Sequence, residues 1–342
     1  MLINYLKSAI RNFLRYKVFA TINVVSLTIG IIGCLAIGLF VRDELQYDRH
    51  IEGGENIYRI YEERISDAAR TYNVSAPPAY ATFLKQQYPE IEATARILMT
   101  DDKFLIESGD KMNYEPKGWF VEASLLDIFP LEFVHGNPAT SLRAPKTMII
   151  SQEMAERYFG NEDPVGKILK LDKSDIEING VFKSLPGHFH LDFNYLVSLA
   201  TAELPEDRMQ SWGWHQFFTY VKLKPGTDVN LLQEKFQEHI KKEILPNEPQ
   251  RGLSWLPYFQ ALKNIHLQSA EFTYDNAVKG NETYVKALTI ITLFVLVIAC
   301  FNFINLATAR SFKRAREIGI RKVVGAYKKQ LVTQFIGESV IL

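Results

Sequence analysis

Two stretches of this chain hold no charged residue. Residues 18–41, VFATINVVSLTIGIIGCLAIGLFV, make 24 such positions in a row, and residues 287–309, ALTIITLFVLVIACFNFINLATA, make 23. A helix rises ~1.5 Å per residue, so each run gives roughly 35 Å, enough for the ~30 Å hydrocarbon core of a bilayer. In lipid only a helix satisfies every backbone group inside one such segment. The pattern predicts transmembrane helices at 18–41 and 287–309. Ahead of the first, Ile3, Leu6, Ile10, Phe13 and Leu14 share one helical face, with Lys7, Arg11 and Arg15 elsewhere. That predicts an amphipathic interfacial helix over 1–17; an ordinary helix packed on protein is the alternative.

Between the two runs the periods shorten. NIYRIYEERI (56–65) is rich in aromatic and branched residues and predicts a strand, as do EATARILM, KFLIES and KTMIIS. PPAYATFLKQQYP predicts a helix between its prolines, and ASLLDIF a short one. Ser151 is placed to cap SQEMAERYFG, a helix closing at Gly160. KILKL and DIEINGVFKSL predict successive strands. FFTYVKLKPGTD alternates into a Pro-Gly turn, and DVNLLQEKFQEHIKKEI predicts a helix with Leu232, Phe236 and Ile240 on one stripe. The fold class expected is an α+β membrane protein, with transmembrane helices flanking a large mixed α/β extracytoplasmic domain of two lobes. That domain is placed at 42–286, with a central lobe at about 111–214 inserted in a lobe built from both flanks.

Charge orients the chain. Lysines and arginines number 39, as do aspartates and glutamates, yet residues 1–17 carry four cations and no acid. Residues 308–342 carry eight cations against Glu317 and Glu338, which leaves the middle with a net charge near −10. Cations flanking spans mark the cytoplasmic side, so both ends are expected in the cytoplasm and 42–286 outside it. The IIGC stretch at 31–34 resembles a lipoprotein cleavage box, but the apolar run continues past Cys34, which excludes a cleaved signal. Cys34 and Cys300 are the only cysteines and both lie in the runs, so the domain between has no disulfide and rests on its apolar core.

Candidate chemistry is sparse. No G-x-x-x-x-G-K-[ST] or G-x-G-x-x-G occurs, so nothing here would cradle a nucleotide, and no nucleic-acid partner or cofactor is expected. His188 and His190 in HFH have the alternate spacing of metal ligands on a strand, but no third ligand joins them; surface or loop histidines are the simpler reading. WGWH (212–215) reads as packing. NVS and NET match the glycosylation pattern without more. Inside the runs, Gly30 and Gly33 with Ala36 permit close helix packing, and Asn302 and Asn305 are amides that lipid alone would leave unpaired.

After the second run comes RAREIGIRKVVGA (314–326), crowded with cations and punctuated by Gly319 and Gly325. Composition leaves two readings open. One is a plain positive-inside loop; the other is a basic knuckle for a partner's groove, with Arg321 and Lys322 on a short turn. The stretch resembles the signature of FtsX-like, MacB-type permeases of ABC transporters. NYLKSAIRNFLRYKVFATINVVSLTIG is similar to that family's interfacial helix and first span, and ISQEMAERYFGNEDPVGKIL to part of its periplasmic core domain. The resemblance covers essentially the whole chain. It implies a permease subunit of the mechanotransmission type, with no catalysis of its own, in the bacterial inner membrane. A cytoplasmic ABC ATPase would dock on a coupling helix or loop at 310–329 through Arg316, Glu317, Gly319, Arg321, Lys322 and Gly325. The other partners implied are a second permease copy or half, membrane lipid and a periplasmic adaptor. The outcome would be export, lipoprotein release or envelope regulation. Family members go on to at least two more spans, so 330–342 is expected to start a third and the chain to be an N-terminal fragment. The runner-up is a two-span sensor with an external ligand-binding domain; a membrane-anchored enzyme is third.

Overall fold

A computed structural model describes residues 17–66, 69–100, 103–185, 187–247 and 253–323. The chain divides into two units, one holding residues 1–45 and 283–342, the other Gln46–Glu282. Among the described residues the first contains two long helices, α1 (Lys17–Glu44) and Glu282–Val323. Each is long and apolar enough to cross a membrane.

The second unit is the mixed α/β domain. It opens with β1 (Ile57–Ser66), β2 (Arg70–Asn73), α2 (Ala79–Gln87), β3 (Ile91–Leu98), β4 (Lys103–Ser108), β5 (Lys111–Pro116) and β6 (Gly118–Val121). Then follow α3 (Leu125–Ile128), β7 (Phe133–Gly136), β8 (Thr147–Ser151), α4 (Gln152–Phe159), β9 (Ile168–Leu171), β10 (Ser174–Phe182) and β11 (Tyr195–Ser198). It closes with α5 (Glu206–Met209), β12 (Phe217–Leu223), α6 (Val229–His239), β13 (Leu253–Ala261) and α7 (Leu262–Gln268); the long helix Glu282–Val323 is α8.

Local chemistry sets several of these elements. Ser151 holds an extended backbone and its hydroxyl accepts from the Met154 N–H, which starts α4; Gly160, at φ 63°, ends it. Asp228 does the same for α6 by accepting from Asn230 and Leu231. Leu232, Phe236 and Ile240 then lie on one buried stripe, packed with Tyr80, Leu84 and Val221. Burial of each such side chain contributes on the order of 1.5–3 kcal/mol.

Among the described residues the strands join in one sheet, in the order β13-β1-β12-β3-β6-β11-β8-β10-β9-β4-β5, with β2 beside β1 and β7 beside β10. Strands from both ends of the domain's sequence fill the first part of this order, and β4 to β11 the rest. Two pairs are parallel, β8 with β10 and β6 with β11. The register around β1 matters below. Arg59 lies opposite Tyr220 of β12 on one side and Gln260 of β13 on the other. The face that Arg59 shares with Ile57 and Tyr220 looks onto a core cluster that includes Trp119, Phe129, Phe182 and Phe218.

Candidate functional site: a buried polar chain

Residues 45–50 follow α1 as a run of turns. Asp48 there has φ 61°, the left-handed region that Asp and Asn tolerate better than most residues. Its N–H donates to the His188 carbonyl at 2.8 Å. Its Oδ1 accepts from the His190 backbone N–H at 3.0 Å and lies 2.8 Å from His190 Nδ1. A carboxylate only accepts, so Nδ1 carries a proton, and Nε2 lies 2.9 Å from the Tyr220 hydroxyl, which can donate or accept. His190 is fully buried. His190 lies in a loop, as one alternative for HFH had it, but it is buried and not at the surface. The metal reading fails, since both ring nitrogens are engaged; among the described residues no group of three His, Cys, Asp or Glu could hold an ion.

Arg59 is the cross-strand register partner of Tyr220, and burial holds the Tyr220 pKa well above the ordinary tyrosine value. Arg59 in turn grips Asp275 with both terminal nitrogens, at 2.8 and 3.1 Å, and both side chains are 1% exposed. Nη2 also reaches Gln260 Oε1 and Ser269 Oγ, each at 2.9 Å. Asp275 Oδ1 accepts from the Ala277 N–H at 3.0 Å, which shapes the turn before α8. Two buried polar groups thus lie on neighbouring strands and loops: His190 with Asp48 and Tyr220 in one, Arg59 with Asp275, Gln260 and Ser269 in the other.

A second histidine touches the same two segments. The ring of His266 on α7 stacks on Tyr47, with centroids 3.4 Å apart and planes 3° from parallel. Its Nδ1 donates to the Val278 carbonyl at 2.8 Å, and its own carbonyl accepts from the Gly280 N–H at 2.8 Å. The Val278 N–H donates to the His190 carbonyl at 2.9 Å. The segment after α1 and the segment before α8 are thus fastened to the same two histidines. Spacing gave no signal of this, because the partners come from β1, β12, α7 and three loops. The one hint was the apolar company of His190, between Phe189 and Leu191.

Comparison with known proteins then decides the family. Residues 20–239 match the model of the MacB-like periplasmic core domain, and residues 289–342 the FtsX-like permease C-terminal model. The chain belongs to the MacB-type, FtsX-like family of ABC transporter permeases. Among its relatives, the macrolide export ATP-binding/permease protein MacB of Bdellovibrio bacteriovorus is 23% identical over 197 residues, 57% of this chain and 28% of that protein. The ABC transporter permease YknZ of Bacillus subtilis is 26% identical over 204 residues, 57% of this chain and 44% of that one. The chain thus spans less than half the length of either. A solved domain assigned to a permease from Porphyromonas gingivalis shares the fold with a TM-score of 0.55, at 20% identity, over 71% of this chain and all of that domain.

In this MacB-type permease the helix pair places its small and amide residues as follows. A Cβ on Gly30 would stand 2.9 Å from Ala299 Cβ, whereas one on Gly33 meets nothing within 4 Å. Asn302 Nδ2 donates to Ser26 Oγ at 2.6 Å; Asn305 is exposed. The charge pattern predicts Arg321 and Lys322 on a short turn, but α8 runs unbroken to Val323, so both lie on helical backbone, with Arg316, Glu317 and Gly319. The side chains of these residues, Gly325, the interfacial segment 1–16 and the start of a third span at 330–342 lie outside the described residues. In WGWH, Trp212 packs on Tyr80 and Phe83, and His215 Nδ1 lies 3.1 Å from the buried Glu62 carboxylate.

Proposed function

We propose that this chain is the membrane-embedded part of an ABC permease, which turns ATP hydrolysis by a separate cytoplasmic ATPase into motion of an external domain. The observation that carries the reading is the order of the two family matches around a folded domain bracketed by two membrane-length helices. No nucleotide-cradling loop occurs in the residues given, which supports a reading in which they carry the permease part and the ATPase lies outside them. The name of the Bdellovibrio relative joins ATP-binding and permease, and this chain covers only 28% of that protein; the Bacillus relative is named a permease alone. On this reading both basic ends lie in the cytoplasm of a bacterial cell and the domain lies in the periplasm as two lobes. Arg316, Glu317, Gly319, Arg321, Lys322 and Gly325 meet the ATPase. A second permease copy or half, lipid and a periplasmic adaptor complete the assembly, for export, lipoprotein release or envelope regulation.

The test is to purify the full-length parent protein from detergent-solubilised membranes and assay ATPase activity in the eluate. The expected result is a co-purifying ATPase that is lost in the Arg321→Glu, Lys322→Glu double variant while membrane insertion persists. A folded, inserted protein with no associated ATPase would instead favour a sensor with an external ligand.

A further inference from the structure

The two edges of the sheet differ. At β13, side chains of α6 bond to the outer strand: Gln237 donates to the Pro257 carbonyl, and Gln233 accepts from the Phe259 N–H. At the other end of the strand order stands β5, and no described residue bonds to the backbone of Met112 or Tyr114 from its outer side. The hairpin decides which groups face that way. β4 and β5 are joined by the two-residue loop Gly109-Asp110, with Ser108 opposite Lys111 and the register unbroken to Lys103 opposite Pro116. The pair that closes such a loop exchanges both backbone bonds, and bonded and non-bonded pairs alternate from there. Lys111, Asn113 and Glu115 therefore bond to β4, while Met112 and Tyr114 turn N–H and C=O outward. The side chains of Lys111 and Glu115 reach α4, so Met112 and Tyr114 share the opposite, open face. They are 61% and 72% exposed. The row running inward from Met112 on that face is charged: Glu107 on β4, Lys170 on β9 and Asp175 on β10. Sheet edges are ordinarily blunted by charge; here the charges stand inward and two large apolar side chains occupy the rim.

The strand is also complementary to itself. Antiparallel pairing with a second β5 across a twofold axis keeps each face continuous only when the axis passes through a residue. Centred on Asn113, the pairing sets Lys111 against Glu115 and Met112 against Tyr114, each twice. Opposite charges and a sulfur–aromatic pair then meet, both favourable across strands. The same register joins the outward groups of Met112 and Tyr114 in four backbone hydrogen bonds. Centred on Tyr114 it would set Lys111 against Lys117, and centred on Met112 it would leave Glu115 facing the Gly109 turn.

We propose that β5 is a docking edge for a second copy of this chain, paired antiparallel about Asn113 so that two sheets run on as one. Five residues a side make a small contact for free molecules, and copies tethered in one assembly need no larger one. That use rests on the permease reading, which calls for a second copy; the register of the pairing does not.

Disulfide cross-linking of the full-length protein in its membrane tests the register, with the chain lacking an added cysteine as the background for Cys34 and Cys300. Asn113→Cys puts two cysteines on the axis, at a non-bonded pair with Cα atoms ~4.5 Å apart, within disulfide range. The expected result is a cross-linked dimer. A mixture of Met112→Cys and Tyr114→Cys copies should also cross-link, whereas Met112→Cys alone, two residues out of register with itself, should not. Glu107→Cys, one strand inward, should not either. Met112→Pro removes only an outward N–H, which an edge strand tolerates, so it spares the fold. Placed with Asn113→Cys it should cut the dimer yield roughly tenfold, the size of two net hydrogen bonds. A folded Asn113→Cys protein that stays monomeric overturns the proposal. So does equal cross-linking from Glu107→Cys, which would mean random collision, or capture of a different protein at Asn113→Cys, which would make the edge a site for another partner. The same preparations separate the two readings. In-register dimers with no co-purifying ATPase leave the pairing standing and the permease reading fallen; a co-purifying ATPase without dimers does the reverse.

Discussion

The ring of Tyr195 on β11 occupies the space beside Gly118, its parallel register partner on β6. A Cβ built on Gly118 would lie 2.0 Å from Tyr195 Cζ and 2.2 Å from its hydroxyl oxygen. The ring is held there by burial and by a hydrogen bond to the Glu115 carbonyl at 3.2 Å. It cannot swing away without breaking into the packing around Met148 and Ile150. Gly118→Ala should therefore destabilise the domain by about 1–3 kcal/mol, the range for overpacking a filled core. Thermal unfolding measures it. An unchanged midpoint would mean that the ring is free to leave.

The helix pair offers an internal control. Gly30 faces Ala299 at a separation that leaves no room for a side chain, while Gly33, three residues on, faces open space. Gly30→Leu should weaken the pairing of α1 with α8, and Gly33→Leu should not. Asn302→Leu, which removes the bond to Ser26, should cost only ~0.6 kcal/mol, the average for such bonds in membrane helices. Cysteine cross-linking between the two helices in membranes would rank the three variants. Equal loss from both glycine variants would show that small size alone, and not this contact, is what the pair needs.

What could be read from the sequence and what could not divides along physical lines. Helix α4 was legible because its start and stop are written in single residues, Ser151 and Gly160, and α6 because its buried stripe repeats at helical spacing. β13 was not. Pro257 interrupts LSWLPYFQA, and proline argues against a strand unless that strand lies at an edge, which is where β13 lies. The polar chain was illegible for a different reason. Arg59 and Asp275 are 216 positions apart, and their pairing exists only once β1, β12 and β13 are in register.

That edge strand is guarded by α6. Gln237 Nε2 donates to the Pro257 carbonyl at 2.8 Å, and Gln233 Oε1 accepts from the Phe259 N–H at 3.0 Å. An open strand edge is a template for pairing between molecules, and these two side chains occupy it. Gln233→Ala with Gln237→Ala should cost about 1 kcal/mol for each bond lost and raise the tendency to self-associate. Light scattering on heating compares the variant with wild type. Unchanged association with lowered stability would show that Pro257 alone protects the edge.

Alkali should unfold the domain more sharply than acid titration of its surface carboxylates. Burial pushes Tyr61 and Tyr158 up to about 12, and drives Tyr80, Tyr195 and Tyr220 well above the ordinary tyrosine value. For Tyr80 the Glu62 carboxylate beside it adds to the effect of burial. In the unfolded chain tyrosine ionises near ~10. Below that pH both states hold their phenolic protons, and the contribution to stability is complete. Above it the unfolded chain loses protons that the folded one keeps, so stability falls as pH rises from about 10 towards the folded values. Of the 16 tyrosines, the exposed ones should therefore ionise first, and the tyrosinate absorbance should then complete in a second step that coincides with loss of circular dichroism. A single step centred near ~10 with the dichroism intact would mean that these phenols reach solvent in the folded protein. Tyr220→Phe should lower the amplitude of the second step and leave the first untouched, which assigns one of the late protons to the polar chain.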